Sequence, residues 1–164
     1  MGKAKRVAMA DLRALMERLG FSECRTLLNS GNIVYSAGDE SPTHSAARIE
    51  QAMETELGVA APVMALSAAD FTTVVHECPL GDVAEDYSRL LVSFLLNPAD
   101  GKLLEPLVRE EWGSETMALG SLATYLWCPD GVLQSRLPAA VERALGQKVT
   151  TRNWKTVMKI QALL

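Results

Sequence analysis

Met9, Leu12, Leu15, Met16 and Leu19 recur near the start of the chain at the three- and four-residue spacing of one apolar helix face, and Gly20 follows as a stop signal. Cys24 to Leu28 and Ile33 to Ser36 read as two short strands. Between them Asn29-Ser30-Gly31-Asn32 supplies residues that tolerate the positive φ of a tight hairpin. Ser41 to Leu57 is predicted as a second helix, with Pro42 near its start, Ile49, Met53 and Leu57 on one face, and Gly58 at its end. Val63 to Leu66 reads as a further short strand. Ser67-Ala68-Ala69-Asp70 resembles a capping box that opens a helix through Phe71, Val74 and Val75, and Pro79 stops it.

The same order of elements returns after a polar, turn-rich stretch. Leu90 to Leu96 is an almost continuous apolar run, as expected of a buried strand. A helix carrying Leu103, Leu104, Leu107 and Val108 follows, then a hairpin of Glu115–Leu119 and Leu122–Trp127 around Gly120-Ser121. Ser135 caps a predicted helix that runs to Leu145, with Pro138 tolerated in its first turn and Gly146 closing it. Lys148 to Thr150 is a last short strand, and the closing helix carries Trp154, Val157, Ile160 and Leu164 as a stripe. The pattern predicts an α+β protein of two tandem ferredoxin-like (βαββαβ) halves with a C-terminal helix. Residues 1–78 form the first half, which lacks its opening strand, 79–88 a linker, and 89–164 the second half. Only the order of elements relates the halves; no sequence repeat does.

Composition narrows the function classes. The chain of 164 residues is 48% hydrophobic and 22% charged, which is globular usage, and it can bury a core without disulfides. A net charge of −4 speaks against a non-specific nucleic-acid binder, which shows a basic domain or stripe. Aromatics reach only 5%, and Tyr35, Tyr125 and Trp127 are the strand positions at which a base could stack, with no RNP-type pattern around them. No apolar run approaches the ~20 residues that span a bilayer. The basic start from Met1 to Arg6 leads into no signal-peptide core, and Arg6 stands where a myristoylation motif at Gly2 wants Ser or Thr. Cys24, Cys78 and Cys128 form no CxxC, so reduced thiols and a cytoplasmic location are expected.

Several segments together resemble a known family. They are Val7-Ala8-Met9-Ala10-Asp11-Leu12-Arg13, Arg25-Thr26, Ser30-Gly31-Asn32-Ile33-Val34, Tyr125, Pro129-Asp130-Gly131, Ser135-Arg136-Leu137 and Thr151-Arg152-Asn153-Trp154-Lys155-Thr156-Val157. In this order they are similar to the bacterial family catalogued as domain of unknown function 1697, over essentially the whole chain from Val7 onward. The resemblance implies tandem ferredoxin-like halves and no particular activity. It also implies an apolar opening strand and a Leu-Arg-Gly-Ile-Asn-Val-Gly-like turn, whereas Gly2-Lys3 already lies inside the following loop. An upstream start is the expectation favoured over a strand supplied by another chain.

The candidate site is the basic and polar set Lys3, Lys5, Arg6, Ser30, Asn32, Arg152, Asn153 and Lys155. Lys3, Lys5 and Arg6 precede a predicted helix N-terminus, where free N–H groups favour an anion. Arg152 and Asn153 are expected to begin the last helix and to offer donors to a carboxylate or phosphate. Against this stands the plainer reading, in which Asn153 or Thr151 caps the helix and Arg152 pairs with a surface carboxylate. His44 and His76 have no partners at metal-ligand spacing, so no metal is expected. GxSxG, P-loop and GxGxxG patterns are absent, no cofactor is implied, and no catalytic residue is assigned. Asp82, Glu85 and Asp86, and the run Glu105, Glu110, Glu111 and Glu115, read as solvated faces. The leading expectation is a non-catalytic binding or interaction protein for a small anionic ligand. A small-molecule enzyme of unrecognised class and a weak nucleic-acid binder stand behind it, and a homodimer stays open.

Overall fold

The computed structural model describes residues 6–164. The chain forms two compact units, one running to Ser67 and including Leu163–Leu164, the other Ala68–Ala162. In the first unit, α1 (Met9–Arg18) and α2 (Pro42–Leu57) flank a hairpin of β1 (Ser22–Leu27) and β2 (Asn32–Ser36). The helix stripes do what their spacing predicts: Leu12, Leu15 and Met16 of α1 meet Ile49, Ala52 and Met53 of α2, with Phe21, Cys24 and Val59 closing the core. The Ser41 hydroxyl accepts the His44 N–H at the start of α2, and Gly58 ends it in the left-handed conformation at φ +63°. Both ends of α2 are thus fixed by single residues.

The second unit is a four-stranded antiparallel sheet in the order β4-β5-β3-β6. Its strands are β3 (Leu90–Leu95), β4 (Thr116–Leu119), β5 (Ala123–Trp127) and β6 (Val149–Asn153). The first strand of the unit therefore lies inside the sheet, between the third and the fourth, which is the split βαβ order of a ferredoxin-like fold. Burial on both faces explains why β3 reads as a continuous apolar run: all six residues are buried. On one face Leu91, Leu95, Leu126 and Cys128 pack against Leu137, Val141 and Leu145 of α5 (Leu137–Leu145). On the other, Phe94 stacks on Phe71 of α3 (Ala68–Glu77) at 5.5 Å, and α6 (Trp154–Gln161) packs on β3 and β6. The β4–β5 turn is held by Glu77, whose carboxylate accepts both the N–H and the hydroxyl of Ser121 at 2.8–2.9 Å. A Cβ at Gly120 would stand 2.9 Å from that carboxylate, 3.0 Å from the buried Tyr125 ring and 3.3 Å from the Ala123 carbonyl oxygen, so a larger residue there would press on the ring and the backbone.

Three expectations change. Val63 to Leu66 forms no strand. In the second unit the equivalent last strand, β6, pairs only with β3; in the first unit no strand among the described residues pairs with this stretch. The helix expected through Leu103 to Val108 is a 3-10 segment, Pro98–Leu104, followed by a single turn, Glu105–Val108. Pro106 has no N–H to continue the helical ladder, and Leu103 is left exposed. The last strand reaches Asn153, so Arg152 is a strand residue opposite Val92 and not the start of the closing helix. Helix α3 lies within the second compact unit, where Phe71 stacks on Phe94 and the Val74 carbonyl accepts the Tyr125 hydroxyl.

Candidate functional site

The candidate residues divide between the two units. Lys3 and Lys5 lie outside the described residues. Arg6 is exposed ahead of α1, whose N-cap, Ala8, makes no side-chain capping bond. Ser30 and Asn32 serve the β1–β2 turn: the Asn32 amide donates to the Ser30 hydroxyl at 2.8 Å and to the Leu27 carbonyl at 3.3 Å. Asn32 is buried, so its amide fixes the hairpin from within.

The other three stand together where β6 runs into α6. Asn153 caps α6 through its Oδ1, which accepts the Thr156 N–H at 2.9 Å. That is the plainer of the two roles the sequence offered. Arg152 is half-buried and donates to the Thr151 carbonyl at 2.9 Å, and burial moves its guanidinium below its ordinary pKa. Lys155, on the first turn of α6, is exposed, and its Nζ lies 3.6 Å from Asp86 Oδ1.

Asp86 is the residue that composition alone hides. In the sequence it is one of several acids in a polar stretch and reads as solvated. In the structure it accepts the N–H of Ser88 at 2.9 Å and its hydroxyl at 2.7 Å, and stands 3.6 Å from Arg89 as well as from Lys155. The Ser88 hydrogen bonds, and then the two cations, hold its carboxyl below the usual aspartate range. The Asp-x-Ser spacing of Asp86 and Ser88 is a local Asx-turn signal that was readable; the approach of Lys155 was not. Arg89 also donates to the Pro129 carbonyl, which ties this loop to the end of β5.

The remaining chemistry is quiet. Cys24 and Cys128 are buried and Cys78 is half-buried; burial pushes all three thiols up, away from the thiolate a nucleophile needs. His44 is exposed beside Glu40 at 2.9 Å, and no group of metal-ligating side chains forms among the described residues. Tyr125 and Trp127 are buried in the sheet and so offer no stacking surface for a base. A shallow depression of about 180 Å³ by Leu19, Arg48, Gln51, Ala52 and Thr55 holds none of the candidate residues. Its Arg48 is engaged by Glu40 and the Leu19 carbonyl, both at 2.6 Å, and lies over the Phe21 ring. No helix among the described residues is long and apolar enough to cross a membrane.

These features define an α+β protein whose second unit has ferredoxin-like strand order and carries a charged ledge at the end of its edge strand. A family model described as "Protein of unknown function (DUF1697)" matches residues 1–125, and the chain belongs to that family. No curated protein matches it. Among solved structures, a conserved bacterial protein from Streptococcus pneumoniae is similar, with a TM-score of 0.77 and 22% identity over 99% of this chain and 91% of that one. At that identity the likeness shows the fold alone.

Proposed function

We propose that the chain is a cytosolic binding protein without catalytic chemistry, and that its second unit takes a small anion at the junction of β6 and α6. The observation that carries this reading is Asp86. A carboxylate there is already stabilised by Ser88, Arg89 and Lys155, so the place favours negative charge. Arg152 and the first turn of α6 border the same junction, and an arginine fork suits a carboxylate or phosphate. The buried, raised thiols support a role in binding over one in covalent catalysis. A cytosolic setting accords with three unpaired cysteines.

The test is titration of inorganic phosphate and of citrate into the intact chain, followed by the amide shifts of residues 151–156. Arg152→Ala is expected to weaken binding by about tenfold or more, the size of one charge-assisted hydrogen bond. Asp86→Asn removes the resident carboxylate from Lys155 and Arg89 and is expected to tighten it. Unchanged affinity in R152A, weaker binding in D86N, or consumption of the anion over time would each refute the proposal.

A further inference from the structure

We draw no further inference here: the strongest candidate, the exposed apolar tip that Leu133 forms on the 3-10 turn Val132–Gln134 after β5, carries nothing because nothing in the structure shows what covers it.

Discussion

Tyr125 shows what a single buried polar atom demands. The side chain is wholly buried in β5, and its hydroxyl donates to the Val74 carbonyl at 2.5 Å. The sequence places this tyrosine on a strand and leaves its partner open, because Val74 is far away along the chain. Burial, with Cys78 and Glu77 nearby, pushes its pKa above the ordinary value of 10.0. A raised folded-state pKa contributes nothing to pH dependence below 10.0, where the phenol is neutral in both states. Above it the unfolded chain ionises first, and stability falls as the pH rises. Tyr125→Phe is expected to cost about 1 kcal/mol at neutral pH, the net worth of one hydrogen bond. It should also flatten the alkaline loss of stability. Urea unfolding at neutral pH and near pH ~10.5 measures both; equal slopes in the two proteins would show that the phenol is not the group responsible.

Elements whose ends are set by their own residues were legible, and those that depend on a distant partner were not. α2 was readable from Ser41, Pro42, the spacing of Ile49 and Met53, and Gly58, all of which act locally. β3 was readable because burial on both faces leaves a solid apolar run. Val63 to Leu66 has strand composition too, but a strand exists only where another accepts its hydrogen bonds. The candidate site divides the same way. Asn153 as a cap follows from its place before Trp154, whereas Asp86 near Lys155 is a tertiary meeting with no local signal. The local control of α2 predicts the size of two substitutions. Gly58→Ala forces a Cβ into the left-handed region at φ +63° and should cost about 1–2 kcal/mol. Ser41→Ala removes the bond to the His44 N–H and should cost about 1 kcal/mol. Chemical denaturation read by far-UV dichroism tests both; a neutral G58A would mean that the end of α2 can relax.

At the scale of the whole molecule, the two units hold their hydrogen bonds with unequal support. In the second, β3 is paired along both edges and covered on both faces, by Leu137, Val141 and Leu145 on one side and Phe71 on the other. In the first, the hairpin has one ladder among the described residues, and the core it packs on is built mainly from α1 and α2. Local opening follows the support around each bond, so exchange should be ranked by unit. The amides of Leu91, Val92, Ser93 and Phe94 are expected to be the slowest in the chain. Those of Arg25, Thr26, Ile33 and Val34 should exchange through smaller openings. Leu15→Ala, which empties a fully buried position in the first core, should cost about 2–5 kcal/mol there. Against a two-stranded ribbon that loss should bring the β1–β2 amides close to unprotected rates. Native-state exchange followed by NMR reads all of these positions at once. Slow exchange at Thr26 and Ile33 in the wild type, persisting in L15A, would mean that the hairpin draws its stability from contacts beyond α1 and α2.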